Sequence, residues 1–273
     1  AVQVAGQGFT ARAEEDEGSL VSRQQNGSFS THLLGLTGLD PQRAGVRWRS
    51  ELKCETILEH KNPEPVRAGE WHHVAGTEAM VMPNSIAFGN DDIDDDIMYI
   101  TDSAGGEVWR TEWVGFQGWL PAEPWLKDPL LQGTGDLPFP FPVGANGIAV
   151  HDRVVYVGVT EQSHIVGIPI EADGSAGEPF VHLELPGVAI DGIGITDDGD
   201  FVVADPPANT IWLIGDDGEP MVLADADDGI SGPTSVYVDG GLDAQPVYVA
   251  NMAQAVVGEL APHPPSIMAI DMD

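Results

Sequence analysis

Positive charge is scarce in this sequence. Of its 273 residues only 11 are Lys or Arg, against 44 Asp or Glu, so the formal net charge is −33. Nucleic acids and anionic membranes are held by clustered Lys and Arg, and both are therefore excluded as partners. Such an acid excess is typical of proteins from high-salt environments, where ions screen the self-repulsion of a compact acidic body. The alternative is an ordinary acidic secreted protein.

Cysteine and long apolar runs are equally scarce. The single cysteine, Cys54, excludes an internal disulfide, and we expect it to be a small buried residue. No run of about 18 apolar residues occurs, so no transmembrane helix is predicted, and the first residues show no signal-peptide pattern. We expect a soluble protein, secreted or cytoplasmic. The sequence does not choose between these compartments, and it leaves the oligomeric state open.

Glycine and proline are abundant, with 33 and 21 copies, and they separate short apolar segments. One phrase of strand, polar turn and strand recurs four times in the last two thirds of the chain. Each copy begins with a polar residue, and these leading residues are Asn84, Asn146, Asp191 and Ser235. The last three are spaced by 45 and 44 residues. The first spacing is 62, and its excess lies in a proline-rich insert at 114–143.

Four-stranded units repeated at this period are typical of the blades of a β-propeller. We therefore predict an all-β fold in which residues 1–273 form a single six-bladed β-propeller with four-stranded blades. Residues 84–273 supply four clear blades, and residues 1–83 have room for two more that are only weakly marked. Five blades are the alternative. The last repeat lacks a fourth strand, which the amino-terminal segment is expected to supply, closing the ring.

The proline-rich insert carries several aromatic rings. Trp119, Trp125, Phe139 and Phe141 lie between its prolines, which excludes the interior of a sheet. Apolar rings on a long loop are consistent with a lid over a pocket or with a pad packed on the outside of the blades.

The leading residues of the repeats are candidates for a cation site. The first strand of every propeller blade lines the central channel, so these residues are predicted to converge near one mouth, joined by Glu17 from a weak first copy. Amide and carboxylate oxygens suit a hard cation, and calcium, magnesium or manganese is favoured over zinc because the set contains no Cys or His. The alternative is that each residue only caps a strand-entry turn.

The order of the four phrases resembles a known family. The phrases are PNSIAFG…MYITDSAGGEVWR, GANGIAV…VYVGV…GIPIEADGSAGEP, DGIGITDDGDFVVADPPANTIWLI and GPTSVYVDGG…VYVAN, and together they cover about 190 residues. They look like blades three to six of the senescence-marker-protein/gluconolactonase/regucalcin-like family. The resemblance implies a six-bladed propeller with one catalytic divalent cation, commonly calcium, in its channel. Many members hydrolyse lactones.

The resemblance also implies roles for single residues. Asn146 and Asp191 match metal-binding residues of the family, and Asp191 matches its proposed general base as well. Asn84 matches a residue that contacts metal or substrate, and we assign it to substrate binding together with Ser235, which would line the pocket. The remaining ligand of the family is a first-blade Glu, for which Glu17 is the nearest match, with Glu14 and Glu15 as rivals.

These residues predict a divalent-metal-dependent lactonase or esterase that uses a metal-activated water in the central channel to hydrolyse a small molecule. Calcium is the first expectation for the cation, with magnesium, manganese or zinc as alternatives. A serine hydrolase is not supported, because no Gly-x-Ser-x-Gly motif is present. The alternative function is a non-catalytic propeller that binds a ligand or a protein at the channel mouth and the insert. A bond-forming enzyme like the strictosidine-synthase relatives has no supporting feature.

Overall fold

The computed structural model describes residues 74–89, 96–114, 118–137, 139–239, 245–253 and 265–272, together with His263. Before residue 74 it describes the backbone of six strands. They are β1 (Val2–Gly6), β2 (Phe9–Ala13), β3 (Ser19–Arg23), β4 (Phe29–Leu33), β5 (Arg47–Arg49) and β6 (Trp71–His73). Strands β1 to β4 form an antiparallel meander, and β5 pairs with β6.

From residue 83 onwards the strands form four antiparallel meanders, named here blades A to D. Blade A consists of β7 (Pro83–Phe88), β8 (Ile97–Asp102), β9 (Glu107–Glu112) and β10 (Glu123–Lys127). Blade B consists of β11 (Ala145–His151), β12 (Val154–Val159), β13 (His164–Pro169) and β14 (Phe180–Glu184). Blade C consists of β15 (Ile193–Ile195), β16 (Phe201–Asp205), β17 (Thr210–Ile214) and β18 (Pro220–Ala224). Blade D consists of β19 (Pro233–Val238), β20 (Val247–Asn251) and β21 (Ser266–Ile270).

Helical structure is limited to short 3-10 turns in the part of the chain that the structure describes. They lie at Thr77–Ala79, Pro129–Leu131 and Ala226–Asp228. None of the described residues belongs to a helix long and apolar enough to cross a membrane.

The fold is an all-β propeller, as predicted, and four blades are found within the described residues where six were predicted for the whole chain. The physical reason is a strand pairing near the start of the chain. Strand β4 hydrogen-bonds to β7 with Thr31 opposite Ile86, so the amino-terminal meander extends the sheet of blade A into eight strands. Strand β1 pairs with β2 at the edge of that sheet, and the described residues do not show it closing blade D.

Burial decreases from the inner to the outer strands of each blade. The first strands β7, β11, β15 and β19 contact one another in order, which places them on the inner side of the array. Strands β8 and β16 are buried at every position, whereas β14 and β18 are mostly exposed. Apolar side chains from the facing sheets of neighbouring blades form the core between them, and their removal from water holds the blades together.

The proline-rich insert packs mainly as a pad on the blades. It supplies β10, where Pro124 sits at a bulge of an edge strand. Trp125 meets Tyr99 with ring centroids 4.8 Å apart, Trp119 lies 5.9 Å from Phe88, and Leu131 is fully buried. Trp125 Nε1 also donates to the Gly174 carbonyl of blade B over 2.9 Å, so the insert contacts both blades.

Two glycines allow the first strands to approach one another backbone to backbone. The Gly147 amide of blade B donates to the Asp191 carbonyl of blade C over 2.8 Å, and a Cβ at Gly147 would lie 2.3 Å from that oxygen. Gly192 repeats this one blade further on, where a Cβ would lie 2.9 Å from the Thr234 carbonyl oxygen. The heads of β11, β15 and β19 are therefore brought together.

This close approach makes Gly147 sensitive to any side chain. We predict that Gly147→Ala lowers the free energy of unfolding by about 2 kcal/mol or more, because the added methyl group meets backbone that cannot move aside cheaply. Urea unfolding would measure the loss. Gly215→Ala is the matched control, since its Cβ would lie 3.4 Å from a flexible Asp200 oxygen. Equal urea midpoints for the two variants would contradict the prediction.

Candidate functional site

A β-bulge lies at the head of β7, β11 and β19, and Asp191 takes the corresponding place in blade C just before β15 begins, so that one side chain per blade is aligned. In blade A, Pro83 faces Asp102 while Ile86 faces Ile100, so Asn84 and Ser85 together oppose one residue. Blade B repeats this between Ala145 and Ile148, and in blade C the Asp191 amide donates to the Ala204 carbonyl over 3.0 Å. Bulges of this kind re-aim side chains. The first bulge residue, called the head residue below, is Asn84, Asn146 and Asp191 in these three blades.

In blade D the head residue is Thr234, and the predicted Ser235 lies one register position further along. The bulge of this blade falls between Pro233 and Ser235, which leaves Thr234 as the extra residue. The glycine contacts agree, because Gly147 lies against the Asp191 carbonyl and Gly192 lies against the Thr234 carbonyl. Ser235 itself is buried, and its predicted part in substrate binding stays a prediction.

The amide of Asn146 is held in one orientation. Its Nδ2 donates to Thr160 Oγ1 over 3.0 Å, and Thr160 Oγ1 donates its single proton to the Ile190 carbonyl over 2.6 Å. The hydroxyl can therefore only accept from Asn146, which assigns nitrogen and oxygen of the amide. Asn146 is 5% exposed, and within the described residues its buried Oδ1 has no hydrogen-bond partner. A buried acceptor in this state has room for a further partner, which an ion or an ordered water can supply.

Asp191 lies directly beside Asn146. Burial raises the pKa of its carboxyl group to about 8, while a hydrogen bond that the Asn146 side chain donates to it acts in the opposite direction. In the absence of a cation the carboxyl therefore holds its proton at neutral pH. The residue keeps some exposed surface, so its proton can exchange with water.

Asn84 and Thr234 extend the set of oxygens. Asn84 Nδ2 donates to Ser103 Oγ over 2.9 Å, and Ser103 Oγ donates to the Ala145 carbonyl over 2.6 Å. Thr234 Oγ1 is buried and makes no hydrogen bond to any described residue. The head residues thus carry oxygen donors of the kind that a hard cation takes, and Asn146 and Asp191 are the two whose side chains are shown to lie side by side.

The remaining predicted ligand cannot be placed. Glu17 and its rivals Glu14 and Glu15 lie outside the described residues. Among the residues that are described, no three His, Cys, Asp or Glu side chains form a group that could hold a metal ion. The described part of the candidate site is thus the pair Asn146 and Asp191.

Other buried polar groups near the strand ends are structural. Asp102 accepts from the backbone amides of Val81 and Met82 over 2.7 and 2.8 Å, and so fixes the entry to β7. Asn251 does the same in blade D by accepting from the Ser231 amide over 3.1 Å. In blade C, Asp205 accepts from the Trp212 indole over 3.2 Å, and burial raises the pKa of its carboxyl. Asp191 differs from these structural residues, because its carboxyl group lies beside the side chain of another head residue, Asn146.

Sequence reasoning missed Thr234, Thr160 and Ser103. An alignment on proline would have found the first, because Pro233-Thr234-Ser235 matches Pro83-Asn84-Ser85. The two hydroxyls each follow the last residue of a second strand, at β8 and β12, and the equivalent position in blade C is Pro206. The carbonyls to which they donate belong to the next blade, and a strand pattern does not reveal such a contact.

No protein-family model matches the chain, and no curated protein matches it in sequence. Solved structures that share its fold include the following three. Regucalcin from Agrobacterium tumefaciens strain C58, described as a calcium-binding protein, has a TM-score of 0.57 at 13% identity, over 97% of this chain and 86% of that one. A luciferin-regenerating enzyme has a TM-score of 0.55 at 12% identity, covering 96% of this chain and 87% of that one. A gluconolactonase from Xanthomonas campestris has a TM-score of 0.54 at 11% identity, covering 96% of this chain and 82% of that one. At these identities the likeness shows a propeller fold shared with such proteins.

The raised pKa of Asp191 predicts how stability depends on pH in protein freed of metal by a chelator. An unfolded Asp titrates near pH 4, so between about pH 4 and pH 8 the folded state holds a proton that the unfolded state has lost. This contribution to stability is present below pH 4 and is lost as the pH rises to 8. Asp191→Asn removes the titration. The stability of this variant relative to the native chain should therefore rise between pH 4 and pH 8 and level off above pH 8.

Thermal unfolding at a series of pH values would measure this difference. Asp198→Asn is the control, because Asp198 is an exposed turn residue. A stability difference between the native chain and Asp191→Asn that stays constant from pH 4 to 8 would show the prediction to be wrong.

Proposed function

We propose that the protein is a divalent-metal-dependent hydrolase that opens a lactone or a related ester at the head residues of its central channel. The observation that carries the proposal is the buried Oδ1 of Asn146, unpartnered within the described residues, next to the Asp191 carboxyl with its pKa near 8. The fold shared with a gluconolactonase and with a calcium-binding regucalcin supports this chemistry.

The residues present fit a divalent cation. Asn146 Oδ1 and the Asp191 carboxylate would hold it, with Glu17 as the proposed acidic partner from the first third of the chain. Calcium suits these oxygen donors best, ahead of magnesium, manganese or zinc. When bound, the cation would polarise the lactone carbonyl and lower the pKa of a channel water.

Asp191 is the proposed general base. A pKa close to the working pH lets a carboxylate take a proton from water efficiently. The water oxygen bonds to the carbonyl carbon, the ring carbon–oxygen bond breaks, and the departing oxygen takes a proton, so a lactone and water give a hydroxy acid. Asn84, whose amide is fixed by Ser103, is proposed to orient the substrate, and Ser235 is proposed to line the pocket.

The proposal predicts that lactone hydrolysis depends on Asp191 and on the cation. Asp191→Asn keeps the shape of the side chain but removes the base, so kcat should fall by at least about 100-fold. A chelator should abolish turnover in the native chain, and added calcium should restore it. Acid release measured at constant pH over a panel of lactones would check both effects.

Asp198→Asn serves again as the matched control and should keep native turnover. Undiminished hydrolysis after complete removal of metal would falsify the proposed mechanism.

Calcium binding should also release a proton. The Asp191 carboxyl must ionise to bind the cation, and with a pKa of about 8 it is mostly protonated at pH 7. Each bound calcium should therefore displace close to one proton at pH 7 and far less at pH 9. Titration calorimetry in buffers of different ionisation enthalpy measures this number. Asp191→Asn should release none, and binding heats that do not vary with the buffer would contradict the assignment.

A non-catalytic binding propeller is the second candidate, favoured by one part of the insert. Phe139 is 38% exposed and stacks on Phe141 with centroids 6.4 Å apart. Their loop is anchored by Glu161, which follows Thr160 and accepts from the Leu137 amide over 3.3 Å. Apolar rings tethered next to the site could hold a ligand without any reaction. Binding of lactones without turnover in the assay above would favour this candidate.

A further inference from the structure

We infer that Thr160 is a positioning residue, whose hydroxyl turns the amide oxygen of Asn146 towards the cation site, and that Ser103 does the same for Asn84. The inference rests on the proposed function, because it assigns a task to a residue next to the proposed ligand. It concerns the orientation of an amide, a property that can also be observed without any cation.

The hydrogen-bond geometry leaves Thr160 a single arrangement. Thr160 is 8% exposed, and its hydroxyl lies 2.6 Å from the Ile190 carbonyl oxygen, which can only accept. The proton is therefore committed to Ile190, and the oxygen faces Asn146 as an acceptor. A flipped Asn146 amide would set two acceptors against each other at 3.0 Å. The hydroxyl thus selects the orientation in which Oδ1 points away from Thr160.

Blade A contains the same arrangement at equivalent positions. We call it the relay: a hydroxyl that accepts from the amide of a head residue and donates to a carbonyl of the next blade. Ser103 accepts from Asn84 Nδ2 and donates to the Ala145 carbonyl, as Thr160 accepts from Asn146 and donates to Ile190. In both blades the carbonyl belongs to the residue just before the next head residue. Each hydroxyl therefore ties a head side chain to the strand that carries the next one. A repeated arrangement of this kind is unlike a local turn cap.

Blade C provides a comparison within the molecule, because its head residue is a carboxylate and not an amide. Its head residue is Asp191, and Pro206 occupies the position of the relay hydroxyl, so the side chain at that position carries no donor or acceptor. An amide has two different ends and needs an orienting partner, whereas the two oxygens of an ionised carboxylate are equivalent. The relay is thus present where the head residue is an amide and is replaced where it is a carboxylate.

Orientation matters because an inverted amide would aim its NH2 group at the cation. Partners that orient metal ligands typically change metal affinity by about 10–100-fold when they are removed. A merely structural hydroxyl would change the free energy of unfolding and leave the affinity for calcium as it was. The two roles therefore predict different measurements.

The test compares Thr160→Val, which keeps the shape and removes the hydroxyl, with Thr160→Ser, which keeps the hydroxyl. Calcium affinity by titration calorimetry should fall about 10–100-fold in Thr160→Val and return to within about 3-fold of native in Thr160→Ser. Thr210→Val is the matched control, since Thr210 is a buried threonine whose hydroxyl donates to the nearby Ala208 carbonyl over 3.1 Å, within its own blade. Its calcium affinity should equal that of the native chain.

A second readout follows the Asn146 side chain directly. In metal-free protein its NH2 protons should exchange slowly with solvent in nuclear magnetic resonance spectra of the native chain and of Thr160→Ser, and should exchange faster in Thr160→Val. This readout separates the inference from the proposed function. Native protein that binds no calcium would refute the cation site, and the exchange rates would still decide whether Thr160 positions the amide.

Two results would overturn the inference. One is native calcium affinity in folded Thr160→Val, and the other is unchanged exchange of the Asn146 amide protons in that variant. If Thr160→Val does not fold, Thr160→Ala removes the same hydroxyl with less bulk, and the same two measurements apply.

Discussion

The structure depends on how closely the first strands of neighbouring blades approach at their heads. Gly147 and Gly192 lie against the backbone of the next blade at distances that no Cβ could occupy. Because these contacts are made by backbone, they fix the relative height of blades B, C and D. The head residue precedes each glycine, so the same contact that joins the blades also brings Asn146, Asp191 and Thr234 into succession.

This arrangement has an electrostatic consequence. Burial at the heads of the strands makes ionisation of Asp191 unfavourable and raises its pKa. The amides of Asn84 and Asn146 are fixed by hydroxyls that also bind the next blade, so the site and the joints between blades share hydrogen bonds. The proposed site is therefore rigid on the amide side and able to exchange a proton on the carboxylate side.

Much of the fold could be predicted from the repeats. The four predicted units of residues 84–273 are blades A to D, because alternating apolar strands and turn residues are local signals that each copy repeats. The proline-rich insert was marked by its rings, and packing decided that Trp119 and Trp125 cover the blades. The six-blade count differs from the four blades found in the described residues because the pairing of β4 with β7 joins segments about 50 residues apart.

The sequence by itself determined the all-β class, the period of the blades and the residue types that lead the first strands. Tertiary structure alone decided that Thr234 and not Ser235 is the fourth head residue, since the bulge that shifts the register depends on the partner strand. It also decided that Thr160 orients Asn146 and that Oδ1 lies buried without a partner in the described residues. These features are contacts between strands and between blades. A hydrogen bond between blades produces no repeating pattern in the amino-acid sequence, so the sequence alone does not reveal it.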